Sequence, residues 1–482
     1  MKISDQNLLR QQALLNGAWV SSDQGLRFAV RNPATGDVLA EVAFLGTAET
    51  ERAILAAQHA QRGWQALAGK ERARLLRAWF DAIHANMEDL AVIMTHEQGK
   101  PLSESRGEIQ YAASFVEWFA EEAKRISGDM PPHPQSDKRI AVHRQAVGVC
   151  AAITPWNFPA AMITRKVAPA LAAGCCIIVK PAEQTPLSAL ALGELAQRVG
   201  IPAGVLQILP GDARAIGGSL TASPVVRKLS FTGSTEVGRI LMAQSAPTIK
   251  RLSLELGGNA PFIVFEDTDL DAAVDGAMIA KYRNTGQTCV CANRFLVQDR
   301  VYDAFAQKLA ARVAAMVVGN GMNANVQQGP LIDEAAVAKV EELVQNAVGQ
   351  GARAVTGGAR IGSEGTWYQP TVLTDMTTQM RMASEEIFGP VAPLFRFSTE
   401  SEAVAMANDT EFGLAAYVYT QDLGRSHRVS EALECGMVGL NTGLISNEVA
   451  PFGGVNQSGI GREGSRYGID EYLEIKYVCT QV

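Results

Sequence analysis

The sequence predicts an α/β protein with two parallel-sheet domains and a small β element, on three observations. From Ala146 onward, short apolar runs alternate with helical periods across Gly and Pro turns. Those apolar runs are continuous, which is the pattern of strands buried on both faces of a parallel sheet. At 482 residues, the chain also exceeds what one hydrophobic core organises, so more than one domain is expected.

The N-terminal region carries helical periods over 51–67 (ERAILAAQHAQRGWQAL) and 71–98 (ERARLLRAWFDAIHANMEDLAVIMTHEQ), expected to pack against the first sheet. The Pro-rich polar stretch SGDMPPHPQSDKR (127–139) is too short to fold alone. It reads as a linker or as the lead-in to an extended strand that pairs outside its own domain. AVGVCAAI (146–153) reads as a buried strand, AAMITRKVAPALAAG (160–174) as a helix and CCIIVK (175–180) as the next strand, a βαβ unit. The same rhythm continues through a helix in LSALALGELAQRV, a strand in VLQIL and a helix near 213–220, then a strand in VRKLSFTGS and a helix in TEVGRILMAQSA. A second α/β region starts near Gly257, with PFIVF as strand, LDAAVDGAMIAKYR as helix and FLVQ as strand, followed by helical VEELVQNAV and EAVAMAND.

Bulk composition narrows the function. With 47% hydrophobic and 19% charged residues, the chain is that of a folded protein without a disordered tract. A formal charge of −7 argues against a nucleic-acid or anionic-membrane surface, which needs clustered Lys and Arg. The longest uncharged stretch, 145–164, is interrupted by Pro155, Asn157 and Pro159 and is no membrane span. The N-terminus lacks the apolar core of a secretory signal, and seven cysteines without framework spacing fit reduced thiols, so the expected location is the cytoplasm. Small molecules are the expected partners.

The segment NTGQTCVCAN (284–293) places Cys289 and Cys291 one residue apart among small polar residues. Tetrahedral zinc sites need a second ligand pair, and the six histidines are scattered, so no metal is expected. Alternating strand positions hold two thiols apart, although a loop could bring them together on oxidation. What remains is a reactive thiol or an inert buried one. A Gly-containing loop after a helix is where exposed chemistry is expected, and thiolate is intrinsically very nucleophilic.

SLELGGNAPFIVF (253–265) and GQTCVCANR (286–294), with TPWNFP (154–159) upstream and EEIFGPV (385–391) downstream, resemble the motifs of the aldehyde dehydrogenase superfamily in order and spacing. WNFPAAMITRK and the C-terminal GREGSRYGIDEYLEIKYVC resemble the bacterial succinate-semialdehyde dehydrogenases in particular, with Tyr282-Arg283 opening the cysteine loop as a small departure. The resemblance implies an aldehyde dehydrogenase-like fold. Residues 1–126 and 146–256 would form the dinucleotide-binding domain, 257–449 the catalytic domain, and 127–145 with 466–482 an oligomerisation element for a homodimer or homotetramer. It further implies Cys289 as nucleophile, Glu255 as general base and Asn157 as oxyanion donor. On residues alone, Glu255 also reads as a charge at a strand end, and Asn157 as a cap for the helix starting near Pro159.

Cofactor features follow the strands. Lys180 and Glu183 come just past a strand's carboxyl end, where nucleotides bind in open α/β sheets, and can grip an adenosine ribose. Gly233 and Ser234 open a helix and can offer backbone N–H groups to a pyrophosphate. By resemblance, Glu386 holds the nicotinamide ribose, while Trp156 and Leu256 line the same cleft. The Glu183 carboxylate suits the ribose 2′-hydroxyl of NAD and opposes the 2′-phosphate of NADP, so the cofactor expectation is NAD or NADP with a lean to NAD. GIGREG (459–464) matches a dinucleotide fingerprint but lacks a preceding strand and a βαβ unit, so it is set aside.

The substrate expectation rests on Arg165, Arg283 and Ser446, which match the positions that bind the substrate carboxylate in the semialdehyde dehydrogenases. A charge-assisted hydrogen bond to such a tail contributes roughly 1.5–3 kcal/mol. The implied reaction is oxidation of succinate semialdehyde to succinate, as in 4-aminobutyrate degradation. Glutarate semialdehyde, a coenzyme A-acylating reaction and a non-catalytic dinucleotide-binding relative are the alternatives. Cys291 reads as a small loop residue or as a redox partner of Cys289.

Overall fold

The computed structural model describes all 482 residues. Its first sheet has eight strands, and its parallel part runs Arg251–Glu255, Val226–Thr232, Val149–Ile153, Ile177–Lys180, Leu206–Ile208. The chain therefore lays strands outward from Val149–Ile153 on one side, then crosses back to build on the other. Such a reversal opens a crevice beyond the carboxyl ends of the two strands that flank it. Here those ends are followed by Trp156 and Asn157 on one strand and by Gly233 and Ser234 on the other.

Helices pack on this sheet because their apolar faces have nowhere else to go. The helix Ala161–Ala173 is buried along its entire length, and Trp79 on the helix Gly69–Ala85 is fully buried with its indole N–H donating to Leu192 O at 3.1 Å. The period expected over 71–98 is broken at Asn86 into two helices, Gly69–Ala85 and Met87–Gln98. Ser234 caps the helix Thr235–Ser245, its hydroxyl accepting from Val237 N.

The second sheet has seven strands, in the order Arg353–Thr356, Thr371–Met376, Val391–Phe397, Ala292–Gln298, Ala260–Val264, Ala415–Tyr419, Met437–Leu440. All pairs are parallel except the first. Phe262 and Val264 belong to one apolar cluster, and Ile263 and Phe265 to another. Alternate residues of one strand thus enter separate cores, as they must when helices cover both faces.

A third, two-stranded sheet pairs Lys138–Ala146 antiparallel with Leu473–Gln481 along their full lengths, leaving Ile475 and Tyr477 exposed. The Pro-rich stretch leads into the first of these strands, and the helical turn Ser465–Gly468 precedes the second. The elements without a counterpart in the sequence reading include a hairpin and an edge strand. Ala13–Leu15 and Ala18–Val20 form a hairpin on the first sheet around Asn16-Gly17, both at positive φ. Gly459–Ile460 is a short edge strand antiparallel to Arg251–Glu255, so the chain after the second domain returns to the first. No helix is long and apolar enough to cross a membrane.

Replacing Trp79 by Ala removes a fully buried indole, and unfolding should cost about 3–5 kcal/mol less than in the unchanged chain. Chemical denaturation followed by circular dichroism checks this; an unchanged midpoint would exclude Trp79 as the anchor of its helix.

Candidate active site

The crevice between the two large domains is a cleft of about 380 Å³ lined by Trp156, Asn157, Gly233, Ser234, Glu255, Leu256, Cys289 and Glu386, among others. Each comes from the end of an element. Cys289 sits in the turn between the short 3₁₀ helix Arg283–Gly286 and the strand Ala292–Gln298. Asn284 and Thr285 adopt left-handed backbone at φ 52° and 59°, the bend that throws the cysteine turn toward the cleft. An added Cβ at Gly258 would lie 2.5 Å from Cys289 O, so the motif's second glycine is required for the two segments to approach.

Asn157 is held in one orientation. Its Oδ1 accepts from Phe158 N at 3.1 Å and its Nδ2 donates to Gln287 O at 3.0 Å. Flipping the amide would oppose donor to donor and acceptor to acceptor, so the network fixes it. The second Nδ2–H is left for the cleft that Asn157 lines. The helix that follows is not capped by Asn157: Glu108 Oε1 accepts from Ala160 N at 2.9 Å and Ala161 N at 3.2 Å. A carboxylate from another helix fills the role that a local side chain was expected to fill.

Glu255 ends its strand at 2% exposure, and neither carboxylate oxygen has a hydrogen-bond partner. Burial drives its pKa well above the ordinary value, Glu463 adds to the rise, and Arg165 and Lys166 oppose it. Glu463 itself is pushed up by burial but held below the usual carboxylate value by Lys166 and Arg165, whose ion-pair distances are 2.6 and 2.7 Å. Burial also raises the Cys289 thiol to about 12, against the pull of Arg165. Glu386 accepts from Gly258 N at 3.1 Å and is lifted by burial to about 7. The resting site therefore places on one cleft a neutral thiol and an unbonded carboxyl group whose proton affinity burial has raised, two groups that can exchange protons with a ligand or water but not with a fixed neighbour.

A profile of the aldehyde dehydrogenase family matches residues 19–478. The chain belongs to that family. It is 62% identical to the glutarate-semialdehyde dehydrogenase of Pseudomonas putida (strain KT2440) over 482 residues, covering 100% of each chain. It is 60% identical to the succinate-semialdehyde dehydrogenase [NADP(+)] of Escherichia coli (strain K12) over 479 residues, covering 99% of each. A solved succinate-semialdehyde dehydrogenase from Burkholderia pseudomallei superposes with a TM-score of 0.99 at 62% identity, covering 100% of both chains.

Lys180 ends the strand Ile177–Lys180 and forms an ion pair with Glu183 at 2.7 Å, and these two, like Arg165, Arg283 and Ser446, stand outside the residues that line the cleft. Arg165 is 1% exposed, with its guanidinium 3.9 Å from the Phe452 ring centroid and an ion pair to Glu463. Arg283 lies over Phe158 at 5.5 Å. Arg165 Nε and Arg283 Nε are both buried without a hydrogen-bond partner. Ser446 is half-buried in the loop after Met437–Leu440. Cys291 faces away from the cleft: its thiol donates to Lys281 O at 3.3 Å and is 6% exposed, and both cysteines are free. A Cys289–Cys291 disulfide would require that thiol to leave its carbonyl.

Several cleft residues were not foreseen. Phe388, edge-on to Trp156 at 5.5 Å, stood inside the quoted EEIFGPV motif. Lys339 and Asp333 come from the helix Glu334–Gly349 and its cap, where nothing in the local pattern marks them. Behind the cleft lining, Glu463 lies in the GIGREG stretch, and its part is electrostatic.

Because its pKa is about 12, the Cys289 thiol should alkylate faster with every step of alkalinity, without the neutral-pH plateau of an activated thiolate. Arg165→Met removes the charge that favours thiolate and should slow alkylation further. Iodoacetamide modification followed by mass spectrometry across pH measures both; a plateau near neutral pH would refute the burial argument.

Proposed function

We propose that this protein oxidises a short semialdehyde acid, succinate semialdehyde first, to the diacid with NAD or NADP. The observation that carries this reading is the convergence of Cys289, Glu255 and Asn157 on one cleft, with Glu255 free of any bond. A nicotinamide dinucleotide, when bound, supplies the acceptor for the two electrons that leave the aldehyde carbon. The chain's residues fit such a group. The helix end at Gly233 and Ser234 offers backbone N–H groups to a pyrophosphate, Glu386 offers a carboxylate to a ribose, and Lys180 with Glu183 offers a paired cation and acceptor. The exposed Glu183 carboxylate favours NAD, while the Escherichia coli relative is named for NADP(+).

Cys289 Sγ forms a bond to the aldehyde carbon as its proton passes, directly or through water, toward ionised Glu255. Negative charge then develops on the former carbonyl oxygen, and the free Asn157 Nδ2–H stabilises it. One such donor is worth about 10²- to 10³-fold in rate. After oxidation the acyl group remains on Cys289 as a thioester. Glu255 releases the proton from Cys289 to solvent and then takes one from water, the water oxygen bonds to the acyl carbon, and the C–S bond breaks as that proton passes to sulfur, restoring the thiol and releasing the acid, which ionises to the carboxylate. Only ionised Glu255 accepts protons, so its raised pKa makes turnover rise with pH well above the ordinary carboxylate range. Glu255 as the hydrolytic base speaks against coenzyme A as the acyl acceptor, and the intact set of three speaks against a non-catalytic relative.

Unbonded, buried Nε groups on Arg165 and Arg283 support an anionic substrate tail, because each of the two lacks a protein partner, and Ser446 would add a hydroxyl. A second reading, glutarate semialdehyde, is favoured by the 62% identity to the Pseudomonas putida enzyme of that name. One methylene changes recognition by only about 1–3 kcal/mol, so the two readings share every residue. The paired strands Lys138–Ala146 and Leu473–Gln481, with exposed Ile475 and Tyr477, are the proposed contact for a homodimer or homotetramer in the cytoplasm.

Protein acid-quenched during turnover should carry an acyl adduct on Cys289 by mass spectrometry, Cys289→Ser should carry none, and Glu255→Gln, which lacks the proton acceptor for both steps, should turn over far more slowly; absence of the adduct under turnover sinks the mechanism. Arg283→Ala should raise KM for succinate semialdehyde about 10- to 100-fold while leaving butanal within about twofold. Equal losses on both substrates would remove the anionic-tail assignment, and dinucleotide reduction across succinate, glutarate and neutral aldehydes decides between the acids.

A further inference from the structure

Behind Asn157 lies a buried network that the mechanism above does not use. Lys100 and Glu108 are both buried at 1% side-chain exposure and form an ion pair at 2.5 Å. Lys100 Nζ also donates to Asn157 O at 2.8 Å and stands 4.0 Å from the Phe158 ring centroid. Asn284 Nδ2, on the cysteine loop, donates to the same Asn157 O at 2.9 Å and to Gln287 O at 3.1 Å. Glu108 uses its other oxygen on Ala160 N and Ala161 N, the start of the helix that follows.

Burying an ion pair this completely is a poor route to stability, because desolvation costs several kcal/mol per ion and apolar residues of similar volume commonly do as well. The pair's placement suggests another use. Two donors on the Asn157 carbonyl fix the plane of the Asn157–Phe158 peptide. That plane aims Phe158 N–H at Asn157 Oδ1, and this bond sets the amide so that Nδ2 faces Gln287 and the cysteine turn. Asn284 contributes from the side of the nucleophile, so one carbonyl ties the donor loop to the cysteine loop.

We infer that Lys100 and Glu108, with Asn284, are positioning residues that hold the Asn157 amide in register with Cys289. This rests on the oxyanion role proposed for Asn157. Their contribution falls on kcat, because a donor misplaced by a fraction of an ångström still admits substrate but no longer meets the developing charge.

The test is a double-mutant cycle with Asn157→Ala, reading kcat, dinucleotide dissociation constant and melting temperature on the full-length enzyme. Lys100→Met alone would strand the Glu108 carboxylate, so the paired variant Lys100→Met/Glu108→Gln removes both charges at similar volume. Asn284→Gly removes the second donor while tolerating φ 52°. Each should lower kcat about 10- to 100-fold with the dinucleotide constant within about twofold, and each should lose less than about twofold when Asn157 is already Ala. Equal losses in both backgrounds, or full kcat in the folded variants, would overturn the positioning role while leaving Asn157 as the donor. An Asn157→Ala enzyme with unchanged kcat would overturn the oxyanion role and, with it, this inference.

Discussion

A carboxylic acid that is buried and bonded to nothing is the constraint on which this site depends. Burying a polar group without a partner costs on the order of 1–3 kcal/mol, and folded proteins rarely leave both oxygens of a carboxyl group in that condition. Glu255 is left so because its neighbours withdraw. Gly453 passes beside it without a side chain, since an added Cβ would come within 3.0 Å of Oε1. Arg165 and Lys166, the nearest cations, are committed to Glu463. The fold thus keeps one carboxyl group unneutralised by neutralising a second one next to it.

The same arrangement sets the character of the thiol. Depth raises Cys289, and the one cation that lowers it, Arg165, is shared with Glu463. A thiol of this kind rests neutral and resists adventitious modification, becoming nucleophilic only as a base and a bound ligand alter its surroundings. Cleft architecture contributes through the topology of two sheets: one supplies the crevice at its strand reversal, and the other carries the cysteine turn to its rim on left-handed Asn284 and Thr285.

Much of this was legible along the chain, because strands buried on both faces write themselves as continuous apolar runs and helix starts announce their caps. The helix start at Ser234 is such a signal in the sequence, and the structure adds that its hydroxyl caps the helix. What escaped was either weakly periodic or supplied from a distance. The hairpin at Asn16-Gly17 carries a strong turn signal, but its three-residue strands are too short for a period to register. Asn86 breaks an apparently continuous helical pattern by geometry, not by a Gly or Pro. Gly459–Ile460 is two residues long and pairs only because the chain returns to the first sheet.

Taken alone, the amino-acid order determined the parallel α/β class and the family, and it marked Cys289, Glu255, Asn157 and Glu386 as candidates, which the fold gathers on one cleft, since those side chains sit in motifs whose glycines and turn residues have local reasons to be there. Tertiary structure alone decided their electrostatic state and their partners. Glu108 caps a helix 52 residues away, Lys166 meets Glu463 across 297 residues, and Cys291 turns to Lys281 instead of its neighbour Cys289. Proton affinity and orientation depend on burial and on charges brought close in space, and neither is written in the spacing of residues along a chain.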